Sequence, residues 1–307
     1  MKCLVTGGAG FIASHIADKL IEKGNKVAII DDLSSGKKAN INPSAKFYRL
    51  DIRSPKVKGV FGKERPSIVF HFAAHIEARE SVKNPIADAD VNILGSLNIF
   101  ENCRKFRLKK IVFASSGGEI YGNAKTIPTP EDYPPSPISP YGIAKLAVEK
   151  YLESYCKMYS MNFTAMRYGN VYGPRQNPCG EAGVIAIFAN KMLKGEQPLI
   201  HGDGRQTKDY IFIDDAVSAT LLALKKDING PINIATAKET SVLEIFDGLK
   251  KLINSNVEKK FVAFPACGFK RGCLSIEKAK KLINWQPGCD FNSGLAKTVD
   301  WFKKYGK

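Results

Sequence analysis

Tyr141 and Lys145 stand four residues apart in Tyr141-Gly-Ile-Ala-Lys145, a spacing that sets a phenol and an ammonium on one face of a helix. A free phenol, with a pKa of about 10, is a poor base at neutral pH, but a cation held beside it favours the phenolate. The pair could therefore exchange a proton with an alcohol. The same spacing on an exposed helix is an ordinary surface pair worth about 0.3 kcal/mol, so the elements that position it decide its meaning.

The helix carrying the pair is predicted over Pro140 to Tyr159, entered through Ser139-Pro140 at the end of a proline-rich loop that starts at Ile127. Ahead of it, short apolar runs alternate with helical patterns. Strands are expected at Lys2 to Thr6, Lys26 to Ile30, Phe47 to Leu50, Ser67 to Phe72, Lys110 to Ser115 and Asn162 to Arg167, with helices at Phe11 to Lys23 and Pro85 to Phe106. That alternation predicts an α/β fold, a doubly wound parallel sheet covered on both faces. Beyond Tyr168 the elements are more widely separated, with helices expected at Val184 to Leu193, Asp214 to Lys225, Val242 to Ile253 and Phe291 to Lys303. The expected division is a first domain over 1–168 and a smaller α/β domain over 169–307, with pieces of the second returning to the main sheet.

At 307 residues, with 44% hydrophobic and 25% charged residues, the chain has the composition of a globular enzyme. Its longest apolar run, Gly183 to Ala189, is far too short to span a membrane, and Met1-Lys2 leads directly into the first strand, so the expected location is cytoplasmic. Seven cysteines are scattered without a C-x-x-C pair and read as reduced thiols; His71 and His75 straddle a strand end, and no metal is expected. The net charge of +16 comes from lysine pairs distributed along the whole chain, which describes a solvated surface rather than a nucleic-acid groove.

Gly7-Gly8-Ala9-Gly10-Phe11-Ile12-Ala13 follows the first strand and opens the first helix, the context of a dinucleotide fingerprint. Gly7 would make the tight turn, Gly10 would let helix N-terminal amides approach a pyrophosphate, and Ala13 would keep helix and sheet close. Asp31, at the end of the second strand, would accept from the ribose hydroxyls of NAD and repel the extra phosphate of NADP.

Further motifs occur in order: Asp31-Asp-Leu-Ser-Ser-Gly36, Asp51-Ile52, His71-Phe-Ala-Ala74, Asn92-x-x-Gly95, Ser115-Ser-Gly-Gly-Glu-Ile-Tyr-Gly122 and Arg167-Tyr-Gly-Asn-Val-Tyr-Gly-Pro-Arg175. With the glycine turn and Tyr141-x-x-x-Lys145, they make a chain that resembles the extended short-chain dehydrogenase/reductases, and within them the UDP-glucose 4-epimerases. The resemblance runs from Met1 to about Trp301. It implies a Rossmann-type first domain whose NAD is held by Gly7, Gly10, Phe11, Ile12, Asp31, Asp32, Leu33, Ser35, Gly36, Asp51, Ile52, Phe72, Ala73, Ala74, Asn92, Ser115, Tyr141, Lys145, Tyr168 and Val171. It implies a nucleotide-sugar (UDP-hexose) substrate touched by Ser116, Glu119, Tyr141, Asn170, Lys208, Arg271 and Cys273. In the implied mechanism Tyr141 takes the proton of the sugar 4-hydroxyl while hydride leaves C4 for the nicotinamide. Ser116 positions that oxygen, Lys145 supports the phenolate, and the 4-keto sugar turns before the hydride returns. The long helices Pro85 to Phe106 and Pro140 to Tyr159 resemble those that build a dimeric four-helix bundle in this family.

Several positions leave choices open. Counting back from Tyr121 lands on Gly117, so assigning the catalytic serine to Ser116 requires a bulge, with Ser115 as the alternative. Glu119 lies two residues before Tyr121, where related decarboxylases and 4,6-dehydratases carry a functional glutamate, although Gly118 offers no acid beside it. Phe264 to Cys273 has no clear match to the family's diphosphate arginine, leaving Arg271 or Lys270. Lys208 stands where an arginine is common, and Cys273 near a position that sets sugar size, which would admit N-acetylhexosamines. A non-catalytic NAD-sensing module would be expected to lack the serine, tyrosine or lysine, and all three are present.

Overall fold

Apolar residues fill most of the short runs Lys2–Thr6 (β1), Lys26–Asp31 (β2), Lys46–Arg49 (β3), Ile68–His71 (β4), Lys110–Ser116 (β5) and Asn162–Tyr168 (β6). Near-continuous apolar strands suit a sheet buried on both faces. In the computed structural model, which describes residues 1–179, 183–264 and 270–306, these six and the strand Gly230–Ile234 form one seven-stranded sheet. Its order is Gly230–Ile234, β6, β5, β4, β1, β2, β3, and every pairing is parallel. Alternate residues feed opposite layers. Cys3 and Val5 join Ile16 and Leu20 of the helix Phe11–Glu22 and Ile213 of the helix Ile213–Leu224, whereas Leu4 joins Phe100 and Val148 on the other face.

The fold is thus a Rossmann-like parallel sheet with a smaller α/β region after β6. That region contains the paired strands Asn170–Tyr172 and Tyr210–Phe212, and a three-stranded sheet of Thr240–Ser241, Thr207–Lys208 and Arg271–Gly272. Among the described residues, no helix is long and apolar enough to cross a membrane.

Two helical segments position the site. The helix Pro140–Tyr159 starts where Ser139 caps it, its hydroxyl accepting from Gly142 N at 3.1 Å, with Pro140 at the first position. The stretch expected as one helix from Pro85 to Phe106 instead runs as Pro85–Ala89, a wide π turn over Asp90–Leu94, and Gly95–Lys105. The extra residue in that turn swings the Asn92 amide toward the loop after β4, where it bonds both the N–H and the C=O of His75 at 2.8 and 2.9 Å.

A buried ionic network ties the long helix to the sheet. Arg167 on β6 grips Glu149 with two nearly parallel bonds, Nε to Oε1 at 3.0 Å and Nη2 to Oε2 at 2.6 Å, and donates to the Tyr121 hydroxyl at 2.7 Å. Ser115 on β5 completes it, donating to Glu149 Oε1 at 2.6 Å. Both charges are almost wholly buried, so removing one partner strands the other in a low-dielectric interior. Arg167→Met should lower the unfolding free energy by about 3–5 kcal/mol in urea titrations. A loss below about 1 kcal/mol, the scale of an exposed pair, would contradict this role.

Candidate active site at the carboxyl ends of the strands

The loops after β1, β4, β5 and β6 emerge side by side at one edge of the sheet, because these strands are neighbours in register. In parallel α/β sheets that edge is where ligands bind. The turn after β1 is built for close approach. Gly7 has φ +71°, and a Cβ there would lie 2.6 Å from Ala73 N. A Cβ on Gly10 would meet Gly7 O at 3.0 Å, yet Gly10 is the N-cap and supplies no side-chain cap. Phe11 and Ile12 are partly exposed and the first turn carries no acidic residue, so the helix N-terminus offers a seat for a diphosphate.

Asp31 lies beside this cradle, buried, with Oδ2 accepting from Ala9 N at 2.9 Å and Oδ1 from Leu33 N at 2.8 Å. Burial pushes its pKa up while the two amides oppose that shift, and each oxygen keeps a lone pair for a further donor. Asp32 turns its own loop, accepting from Ser34 N, while Ser35 is exposed. Gly36 allows that loop to close on Ala9, 2.8 Å from where its Cβ would stand. Asp51 holds Arg53 at 2.5 Å, which pulls its carboxyl below the usual range, and Ile52 is buried against Gly95. Phe72, Ala73 and Ala74 are half-buried along the loop after β4. These residues fit a dinucleotide with a free ribose diol.

Lys145 is buried, its Nζ donating to Ala114 O at 2.8 Å and lying 5.6 Å from the centre of the Tyr141 ring. Burial brings its ammonium down to about 8, against the pull of Asp88 and Glu149. The sequence predicts that this cation lowers the Tyr141 pKa. In the protein alone the phenol moves the other way: burial pushes it up, and the Glu119 and Asp88 carboxylates add to the shift. The pair is placed as expected, but its proton affinity is set by more than the pair.

The two serines separate cleanly. Ser115 is committed to Glu149, so its side chain belongs to the framework rather than to a cofactor. Ser116, the last residue of β5, is half-buried and caps the helix Gly117–Tyr121 without a side-chain bond, which leaves its hydroxyl to the cleft. The bulge required by counting is this short helix. A side chain at Gly117 would overlap Leu274.

Other expected contacts are redirected. Asn92 spends its amide on His75 and on Asp88 Oδ1 at 2.9 Å, making it a tie between loops. The Tyr168 hydroxyl is buried on Thr220 at 2.6 Å, while Val171 is half-buried beyond it. Arg271, 63% exposed, is held by Glu239 at 2.6 Å. Cys273, expected against the sugar, is buried, its thiol turned onto Asp209 Oδ2 at 3.6 Å. Pro265 to Phe269, the rest of the segment expected to hold the diphosphate, lies outside the described residues. Asn170 exposes its side chain while its N–H pairs with Asp209 O. Lys208 lies within electrostatic reach of Glu119, and burial brings its ammonium down to about 7.

Asp88 was not legible as a site residue. It is buried, faces both Tyr141 and Lys145, and its Oδ2 is without a hydrogen bond among the described residues. Its only sequence signal is a place one helical turn before Asn92. Among the described residues no cluster of His, Cys, Asp or Glu could hold a metal ion.

Residues 3–235 match the model of the NAD dependent epimerase/dehydratase family, and the chain belongs to that family. A UDP-glucose 4-epimerase of Mycolicibacterium smegmatis is 38% identical over 309 residues, 99% of each chain. The crystal structure of a UDP-glucose 4-epimerase with UDP-glucose from Thermotoga maritima matches with a TM-score of 0.98 and 45% identity over 100% of both chains. A Thermus thermophilus UDP-glucose 4-epimerase in complex with NAD matches at 0.96 with 38% identity, over 99% of this chain and 100% of that one.

Proposed function

We propose that this chain is an NAD-dependent UDP-glucose 4-epimerase that interconverts UDP-glucose and UDP-galactose, with residues 1–168 serving the cofactor and 169–307 mainly the nucleotide sugar. The observation that carries the reading is the meeting of Tyr141, Lys145 and the uncommitted Ser116 at the strand edge that also bears the glycine cradle and Asp31. When bound, NAD supplies a reversible oxidant for C4 of the hexose and a positive charge beside the phenol. Gly7, Gly10 and the Phe11 and Ile12 amides seat its diphosphate, and Asp31 takes a ribose diol.

The chain's own residues manage the oxygen and its proton. Ser116 donates to or accepts from the 4-oxygen and fixes its direction. Tyr141 removes the hydroxyl proton when the alcohol becomes a ketone and returns it in the reverse step. Burial disfavours its phenolate, and a protonated Lys145 together with the cofactor's positive charge would oppose that shift. Inversion requires that the 4-keto hexose show its other face to the same site. A grip on the nucleotide and diphosphate, with Lys208 among its groups, would hold the substrate while the sugar ring turns.

Incubation with UDP-galactose, UDP-glucuronate and dTDP-glucose, with products resolved by NMR, tests the reading. UDP-glucose should form from UDP-galactose, and Tyr141→Phe should lower kcat by about 10²–10⁴-fold while NAD still binds. Release of carbon dioxide or water without C4 inversion would overturn it.

Lys208 gives a pH signature. With its ammonium at about 7, its positive charge is present below that pH and lost above it, so KM for UDP-galactose should rise as pH climbs through 7. Lys208→Arg stays charged and should flatten that dependence; an unchanged rise would remove Lys208 from substrate binding.

We also propose a homodimer. Ile143, Tyr151 and Met158 share one exposed face of the helix Pro140–Tyr159, and Ile86 (82% exposed) and Leu94 (58%) stand out on the segment packed beside it. An apolar stripe of this kind on a helix pair is normally covered. Light scattering should give twice the chain mass for the wild type and the single chain mass for Ile143→Glu/Met158→Glu; a monomeric wild type would contradict the proposal.

A further inference from the structure

The short helix Gly117–Tyr121 begins immediately after Ser116, and the helix Pro140–Tyr159 carries Tyr141 in its first turn. Five residues make an unstable helix alone, so something outside it must hold its orientation. Its backbone lies directly on the longer helix: a Cβ on Gly142 would stand 2.5 Å from Glu119 O. One side chain joins the two helix starts. Glu119 Oε2 accepts from the Ser139 hydroxyl at 2.7 Å, and the same hydroxyl accepts from Gly142 N at 3.1 Å. Glu119 is three residues from Ser116, and Ser139 is two residues from Tyr141.

We infer that Glu119 is a positioning residue whose carboxylate, acting through the Ser139 cap, fixes the separation of Ser116 and Tyr141. The inference rests on the epimerase reading for the roles of those two groups. The clamp gives Glu119 a structural duty, since its Oε2 takes the Ser139 proton donor. It also explains how a serine loop one residue longer than the usual spacing can present its hydroxyl correctly. The added residue is absorbed in a helix, and Glu119 docks that helix onto the start of its neighbour. The carboxylate also faces Tyr141 and Lys208, so its charge is felt across the cleft.

Acceptor and charge can be tested apart. Glutamine keeps an oxygen that accepts from Ser139, whereas alanine removes it. Misplacing a reacting group by about 1 Å can cost about a hundredfold in rate. Glu119→Ala should therefore lower kcat for UDP-galactose by about tenfold or more with KM within about twofold of wild type. Glu119→Gln should restore kcat to within about threefold, a rescue that a general loss of stability would not give. Wild-type kcat in the alanine variant, or a glutamine variant as slow as alanine, would overturn the inference. If the wild type leaves UDP-galactose unchanged, the epimerase reading fails. The clamp is then read from the same two variants as the single-turnover rate of bound-NAD reduction, followed by near-ultraviolet absorbance, with UDP-glucuronate and dTDP-glucose.

Discussion

The ion pair between Arg167 and Glu149 is the constraint on which the rest of the site depends. Tyr141, Lys145 and Glu149 recur every fourth residue, so the proposed acid/base pair and the group that anchors it share one helix face. Arg167 fixes the last of the three to β6, and Ser115 fixes it to β5 one residue before Ser116. A buried pair is weak evidence for stability, because desolvating two charges costs about as much as their attraction returns. What it supplies is direction. Two parallel bonds to a planar guanidinium leave the helix little freedom to rotate or slide.

Burial then sets the proton affinities. Lys145 and Lys208 are pushed down toward neutrality, while Tyr141 is pushed up and faces two carboxylates. The protein alone is thus a site with its base protonated and its cations weakened. An anionic diphosphate near Lys208 would favour its ammonium and a cationic ring near Tyr141 would favour its phenolate, and these are the charges of the proposed substrate and oxidised cofactor. The electrostatics of the free chain and the composition of its ligands are complementary in sign.

The parts legible in the sequence are those governed by near neighbours. The glycine turn is set by φ and close approach, the start of the Tyr141 helix by Ser139-Pro140, and the strands by unbroken apolar runs. Less legible are the contacts that depend on partners far along the chain. Arg271 is diverted by Glu239, 32 residues away, and Cys273 by Asp209, 64 residues away. The choice between Ser115 and Ser116 required knowing that Glu149 waits on the buried side. Asp88 and the π turn escaped notice because neither apolar periodicity nor a motif reports where one polar residue is swung inward.

The central claim is that hydrogen leaves C4 with its electrons, stays within the site, and returns to the same carbon from the other side. The most direct measurement is conversion of UDP-galactose carrying deuterium at C4, in ordinary water, with the product examined by NMR. The account predicts UDP-glucose with deuterium retained at C4. Product bearing solvent hydrogen at C4 would contradict it.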